Sequence, residues 1–168
     1  SYMHSGSVYC VNSFIDLGGF RQEYFMEFTD IEYSLRLHRK NRKLLYIDDP
    51  LIIHQAGFSN KNTNNISLLY SHPLWIYYLQ YRNFLVTLVQ NFFFAPIWSI
   101  KSIIILVTFS PLRIWINHKS LYKMFIVIFC GILDGIISIV LNRMTLITYR
   151  TILERFSRFK IPIIVKFS

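Results

Sequence analysis

The longest apolar stretches of the chain lie in its second half, and they predict a helical region. Residues 84–100 carry no formal charge, and residues 102–112 continue the apolar pattern after a single lysine. Residues 124–133 form another uncharged run, which ends at Asp134. A spanning helix needs about 20 predominantly apolar residues, and an acid at bilayer depth is costly unless it is paired. We therefore expect residues 73–168 to form membrane-associated helices, with interfacial helices or a hairpin favoured over a multispan bundle.

Residues 1–57 mix apolar and polar positions in the manner of a small globular unit. A short helix is predicted before a Gly-Gly turn at residues 18–19. A second helix is predicted over residues 29–40, because "TDIE" matches a capping box. In that motif Thr29 is the N-cap and Glu32 is the acid three residues further on.

The other predicted elements are two strands and a loop. The stretches "KLLYI" (43–47) and "PLIIH" (50–54) predict short strands around an Asp-Asp-Pro turn. Residues 58–72 are rich in Asn and Ser and predict a linker loop. The chain thus divides into a unit over residues 1–57, this linker and the helical region over residues 73–168.

Charge divides the chain at nearly the same place. Residues 1–55 contain 6 basic and 7 acidic residues, whereas residues 56–168 contain 12 and 2, and the whole chain carries a net charge of +9. Because these cations alternate with aromatic and aliphatic blocks, they fit an anionic membrane surface, and we expect no nucleic-acid partner. A soluble helical core rich in Phe is the alternative for this half. The 2 cysteines lie far apart in sequence and indicate a reducing compartment.

The first unit carries the candidate chemistry, in Asp30, Glu32 and His54. Backbone N–H groups at a helix start favour negative charge, which suits a general base because a base accepts a proton. The same position suits a plain helix cap, and spacing alone favours the cap for both acids. His54, at the end of a predicted strand, is either structural or a ligand. The cations of residues 39–43 fit a solvated helix end.

The stretch "GGFRQEYFMEFTDIEYSLRLHRKNRKLLYIDDPLIIHQAG" (residues 18–57) resembles the second half of a family 2 glycosyltransferase catalytic domain. That family typically shows a Gly-Gly-Phe turn, an aromatic pair, an acid-x-acid helix start, an Arg in the same helix and a hairpin that closes on a His. The matching residues here are Gly18-Gly19-Phe20, Tyr24-Phe25, Asp30-x-Glu32, Arg36 and His54. The upstream turn Ser5-Gly6-Ser7 also fits.

The second half of the chain resembles one subgroup of that family. The stretch "SHPLWIYYLQYRN" (residues 71–83) is similar to a signature of rhamnosyltransferase-like members, although His72 and Pro73 are adjacent here. The stretch "GILDGI" (residues 131–136) resembles a Gly-x-x-Asp-Gly sequence near their C-terminal end. One departure is that the usual Glu-Asp pair is Thr-Asp in this chain. The resemblance covers roughly residues 1–136.

The resemblance implies an α/β fold, namely the C-terminal part of a GT-A-type domain followed by the apolar helical region. Asp30 matches the catalytic base, and Glu32 matches an acid that helps to hold the acceptor. The residues that would line the acceptor side are Ser5, Gly6, Ser7, Gly18 and Gly19. His54 matches a metal ligand. The matched residues whose role is structural or unknown are Arg36, His72, Arg82 and Asn83.

The resemblance also implies an inverting, metal-assisted transfer of a sugar such as rhamnose. The expected partners are a nucleotide-sugar donor (dTDP-rhamnose or a UDP-sugar), a saccharide or glycolipid acceptor and the cytoplasmic face of the cell membrane. Mg or Mn is the expected cofactor, with its remaining ligands upstream of Ser1. The chain is therefore expected to be a C-terminal fragment that is inactive alone. The alternative is a non-catalytic, membrane-associated scaffold protein.

Overall fold

The computed structural model describes residues 7–43, 45 and 72–141. Three quarters of these residues are helical. The helices are α1 (Val11–Asp16), α2 (Thr29–Arg39), α3 (Leu74–Asn91), α4 (Pro96–His118) and α5 (Leu121–Val140), and a 3₁₀ turn covers Gln22–Tyr24. We call residues 7–43, which contain α1, the 3₁₀ turn and α2, the N-terminal layer.

The predicted α/β fold is wrong for the part of the chain that the structure describes, because that part is helical and contains no strand. The two predicted strands, at residues 43–47 and 50–54, fall almost entirely outside the described residues. In the N-terminal layer, the chain between the 3₁₀ turn and α2 turns sharply at two residues with positive φ, 60° at Phe25 and 66° at Phe28. The long apolar runs form helices, which satisfy their backbone hydrogen bonds internally and need no sheet.

A cluster of aromatic rings forms the small core of the N-terminal layer. Each ring meets its neighbours at centroid distances of 4.9–5.9 Å, mostly edge to face. The four members are Tyr9, Phe14, Phe20 and Tyr33. Phe14 precedes the Gly-Gly turn and Phe20 follows it, so the cluster holds the chain on either side of the turn.

Helix α3 is the centre of the structure and is covered on opposite faces. Amide and hydroxyl side chains along one face bond to the N-terminal layer, and we call them the polar seam. Its members are Gln80, Asn83, Thr87, Gln90 and Asn91. The face that carries Tyr78 and Leu85 lies about half a turn away and contacts α5.

Helix α5 approaches α3 closely because glycines lie at the contact. A Cβ atom at Gly131 would come within 2.7 Å of the Tyr81 Cβ and 2.8 Å of the Tyr78 carbonyl oxygen. A Cβ atom at Gly135 would meet Leu85 at 3.0 Å. Small residues four apart permit such close backbone approach between helices. "GILDGI" therefore marks a helix contact, in which the two helices run parallel.

Asp134, the acid inside the apolar run of α5, is paired. The Tyr78 hydroxyl donates a hydrogen bond to its Oδ2 at 2.5 Å. Such a bond satisfies the carboxylate in surroundings where an unpaired charge would be costly. The sequence predicted that this acid would be costly at bilayer depth unless it is paired, and α3 supplies the hydroxyl that pairs with it.

Helix α4 runs antiparallel to α3 along its flank. His118 Nε2 lies 3.0 Å from the His72 carbonyl oxygen, and Asn117 donates to the Tyr77 hydroxyl at 2.9 Å. Further along, the Tyr81 hydroxyl donates to a backbone carbonyl of α4 at 3.1 Å. Helix α4 begins at a proline, which suits a first helical position, and it ends before Lys119 in the left-handed conformation.

The outward faces of α4 and α5 are apolar. Both helices are long and apolar enough to cross a membrane, yet only 11% of the α4 window and 28% of the α5 window is buried. This exposure disfavours a soluble core, whose helices would be mostly buried, and is compatible with membrane association. The exposed residues of α4 include Ile97, Ile100, Ile104, Ile105, Val107, Phe109, Leu112 and Trp115, and those of α5 include Phe125, Phe129, Leu133, Ile136, Ile137 and Val140.

Candidate functional site

The candidate base Asp30 lies half-buried in the first turn of α2. Its Oδ1 accepts a hydrogen bond from the Ile31 backbone N–H at 2.8 Å, and no hydrogen bond to its other carboxylate oxygen is found within the described residues. The predicted capping box does not form. Phe28 is the N-cap residue, and the Thr29 hydroxyl donates to the Met26 carbonyl oxygen at 3.3 Å.

Glu32, the predicted acceptor-binding acid, is buried between two arginines. It is 3% exposed, and its Oε1 lies 2.8 Å from Arg36 Nε and 3.3 Å from Arg21 Nε. A buried carboxylate needs such pairing because loss of its hydration is costly. The position of Glu32 thus favours a structural role over direct contact with an acceptor.

Arg36 connects this ion pair to the Gly-Gly turn. Its guanidinium donates hydrogen bonds to the Leu17 carbonyl oxygen and, at 2.6 Å, to the Gly19 carbonyl oxygen. Both glycines are left-handed, with φ of 76° at Gly18 and 64° at Gly19. Two of the motifs, separated by 17 residues, are therefore parts of one hydrogen-bonded unit.

Arg82 and Asn83, whose role the sequence left open, hold the turn that precedes α2. Both are fully buried. Arg82 Nη1 donates to the Glu23 carbonyl oxygen at 2.9 Å and to Asn83 Oδ1 at 3.0 Å. Asn83 Nδ2 donates to the carbonyl oxygens of Tyr24 and Glu27, each at 2.8 Å. Helix α3 thus fixes the segment that leads into Asp30.

Glu27 is a candidate site residue that the sequence analysis missed. Gln80 Nε2 donates to its carboxylate at 3.1 Å. Burial raises the pKa of Glu27, and the nearby charge of Asp30 adds to this rise, whereas Gln80 and Arg113 oppose it. Glu27 lies three residues before Asp30 but outside α2, so helical spacing gave no signal for the pair. Glu27 and Asp30 together make the start of α2 acidic.

Replacing Glu27 with Gln should make the stability of the protein less dependent on pH. Because the folded state raises the pKa of this carboxyl, the folded state binds more protons than the unfolded state in weak acid, and stability falls as pH rises through that range. Glu27→Gln removes this loss of stability with rising pH, and its side-chain oxygen can still accept the hydrogen bond from Gln80. Thermal unfolding in mild detergent from pH 4 to 8 should show the stability of the variant increasing relative to that of the parent protein as pH rises. A difference that is independent of pH would contradict the prediction.

Two further buried groups border the site. Burial raises the pKa of Tyr24 to about 12, and its hydroxyl shares a 2.9 Å hydrogen bond with Thr87. Burial also lowers the pKa of His72, with a smaller contribution from Arg113. The His72 ring packs edge-on against Tyr77 at a centroid distance of 6.0 Å. Both groups have contacts typical of packed side chains, Tyr24 beside the second half of α3 and His72 just before its first residue.

Four predicted site residues remain, and the structure describes one of them, Ser7. Ser7 is half-buried at the beginning of the described chain. Ser5, Gly6 and His54 lie outside the described residues. Within residues 7–43, 45 and 72–141, no group of three or more His, Cys, Asp and Glu side chains could hold a metal ion.

The cations at the end of α2 are partly used in packing. Arg39 donates to the Gln90 carbonyl oxygen and to Asn91 Oδ1, each at 2.8 Å, and lies 5.0 Å from the centre of the Phe94 ring. Arg42 lies 3.5 Å from Asp16. The basic run is thus more than a solvated helix end, because Arg39 joins α2 to the turn between α3 and α4.

Comparisons with known proteins identify no relative. No protein-family model, no curated protein and no solved structure matches the chain.

Proposed function

We propose that this chain is the acceptor-side and membrane-docking part of an inverting glycosyltransferase that transfers a sugar such as rhamnose from a nucleotide-sugar. One observation supports the proposal most. The matched residues of distant motifs meet around the start of α2, through the bonds of Arg36 to Gly19, of Arg82 to the Glu23 carbonyl oxygen and of Asn83 to the Glu27 carbonyl oxygen. A positioned base requires such a rigid support.

In the proposed reaction Asp30 is the general base. An acceptor hydroxyl oxygen attacks the anomeric carbon of the donor, the bond from that carbon to the nucleotide diphosphate breaks, and the hydroxyl proton passes to Asp30. Bond formation on the face opposite to the leaving group inverts the configuration. Glu27 and Glu32 do not react: Glu27 accepts a hydrogen bond from Gln80, and Glu32 forms ion pairs with Arg21 and Arg36.

A divalent ion remains part of the proposal, with His54 as one ligand. When bound, such an ion would neutralise charge on the departing diphosphate. The described residues offer no group of three ligands for it. The proposed reaction therefore assigns proton transfer to Asp30 and assigns no step to the ion.

Replacing Asp30 with Asn should abolish sugar transfer. The substitution keeps the size of the side chain and removes its ability to accept a proton, so we expect a loss of at least about 100-fold. The measurement is transfer of labelled sugar from dTDP-rhamnose and from UDP-sugars to endogenous acceptors, in membranes of source cells that carry the substitution on the chromosome.

The matched control is Asp16→Asn, which removes an exposed acid of α1 whose described ion pair, with Arg42, is long at 3.5 Å. This variant should retain transfer. Equal amounts of both proteins in the membrane, measured by immunoblot, exclude a folding defect. Unchanged transfer in Asp30→Asn would place the base elsewhere.

A membrane-associated scaffold without catalytic activity is the second candidate function. The observation that favours it is the exposed apolar surface of α4 and α5, which extends along both helices and takes no part in the chemistry proposed for Asp30. A scaffold predicts that deletion of the gene abolishes the cell-surface product, whereas Asp30→Asn leaves it intact. For either function we propose the cytoplasmic face of the cell membrane, where nucleotide-sugars are available.

A further inference from the structure

Helices α4 and α5 reverse the usual distribution of polar and apolar side chains. Their outward residues are mostly aliphatic or aromatic, with Lys101 and Thr108 as exposed polar residues of α4, whereas their inward positions include Ser99, Ser138 and the half-buried Asp134. In water such a distribution would leave the apolar face unprotected. It fits a medium that solvates hydrocarbon, so the outward faces contact lipid.

The orientation of these helices in lipid follows from what α3 carries on its other side. The N-terminal layer is attached along nearly the whole length of α3, from the Phe25 ring against Trp75 to the hydrogen bonds of Arg39 at Asn91. Helix α5 runs parallel to α3 and α4 runs antiparallel to it. The three helices therefore lie along one common direction, and the N-terminal layer extends along the same direction beside α3.

An upright orientation would bring many charges into the hydrocarbon. If α4 and α5 crossed the bilayer, α3 would lie across it as well, and the N-terminal layer would be at the same depth. The charged residues bonded along α3 or beside it are Arg21, Glu27, Glu32, Arg36 and Arg39. Charged side chains at bilayer depth are costly, and this layer has many of them.

We propose that α4 and α5 lie in the plane of the membrane interface, with the N-terminal layer on the aqueous side, and that neither helix crosses the bilayer. The partner is a bilayer with anionic headgroups. Apart from Arg113, whose charge acts on Glu27 in the N-terminal layer, the two helices and the turn between them carry the cations Lys101, Lys119 and Lys123 against one acid, which is bonded to Tyr78. Lysine stems reach from an apolar face to headgroup level, and in-plane helices of this kind combine apolar burial with attraction to anionic lipid.

The side of the membrane on which the α4–α5 turn lies distinguishes the two orientations. Native Cys10 is exposed in the N-terminal layer, and Cys130 is buried. In sealed vesicles of both orientations, from source cells, a membrane-impermeant maleimide should label Cys10 in the native protein and residue 119 in a Cys10→Ser/Lys119→Cys variant from the same side. The Cys10→Ser protein alone is the control for reaction at Cys130.

An upright α4 would place its two ends on opposite sides of the bilayer. Labelling of Lys119→Cys only from the side opposite to Cys10, or only after detergent is added, would therefore overturn the proposal.

The depth of the outward face of α4 gives an independent test. Spin labels at Ile97→Cys, Ile105→Cys and Ile116→Cys, each in a Cys10→Ser background, probe the two ends and the middle of that face. In vesicles that contain phosphatidylglycerol, an in-plane helix predicts three similar, shallow depths by oxygen accessibility. A helix that crosses the bilayer predicts the greatest depth at Ile105→Cys, and labels that remain in water predict no membrane contact; either result would overturn the proposal.

Discussion

Replacing Asn83 with Leu should lower the free energy of unfolding by roughly 3–5 kcal/mol, because buried partners lose their hydrogen bonds together. Leucine has a similar size but no polar atom. The carbonyl oxygens of Tyr24 and Glu27 would lose their donor, and Arg82 would lose an acceptor. All of these bonds lie between α3 and the turn before α2, so the change separates the N-terminal layer from α3.

Thermal unfolding in mild detergent measures this effect, at roughly 2–4 °C per kcal/mol for a chain of this size. The control is Gln90→Leu, which removes an exposed amide of the same polar seam that bonds to Arg21. We expect this control to lie within about 1 kcal/mol of the parent protein. Equal effects of the two substitutions would show that the buried amide is not the main attachment.

Replacing Gly131 with Leu should disrupt the contact between α3 and α5. Even a single Cβ atom would lie 2.7 Å from the Tyr81 Cβ and 2.8 Å from a backbone oxygen of α3, so a larger side chain forces the helices apart. Overpacking costs about 1–3 kcal/mol and occasionally more, and helix separation would also break the bond between Tyr78 and Asp134. We expect a loss of at least about 3 kcal/mol for Gly131→Leu.

A graded series at this contact tests the explanation. Gly131→Ala should be milder than Gly131→Leu, because Ala adds only the Cβ atom, whereas Leu adds three further carbon atoms at the same contact. Gly135→Ala should be milder still, since its nearest atom is the end of the flexible Leu85 side chain at 3.0 Å. Thermal unfolding that ranks Gly135→Ala as the worst of the three would contradict the close contact at Gly131.

The sequence predicted the helices better than it predicted their ends or the fold class. Helix α2 was expected over residues 29–40 and covers Thr29–Arg39. Its start was misread, because Thr29 and Glu32 match a capping box, whereas Arg21 and Arg36 pair with the buried Glu32 in place of the backbone. Local spacing does not reveal a partner such as Arg21, which reaches Glu32 through the tertiary fold.

The apolar runs located the long helices of the second half but not the boundary between α3 and α4. Residues 84–112 were considered as one block, whereas the structure ends α3 at Asn91 and begins α4 at Pro96. A proline terminates the preceding helix and favours a new first turn. The α/β expectation came from a resemblance and from two short strand patterns, and short apolar runs do not distinguish strand from helix.

The site was predicted only in part. The sequence indicated the start of α2 as a candidate site. It did not indicate Glu27, which lies inside an aromatic run, and it left the role of Arg82 and Asn83 open. Their role depends on contacts across more than 50 residues of sequence. Such long-range pairing has no local signature, because any polar residue on an otherwise apolar helix face can be buried or exposed.

Helices α3 and α5 are similar in length, with 18 and 20 residues, yet they follow different rules of substitution. Every position of α3 from Tyr81 to Phe84 is buried, between the N-terminal layer on one side and α5 on the other, so shape and hydrogen bonding limit what each can become. The outward positions of α5 are exposed among the residues that the structure describes, so hydrophobicity alone limits them. Among related sequences, α3 would therefore keep its individual residues, whereas α5 would keep only its apolar character and its glycines.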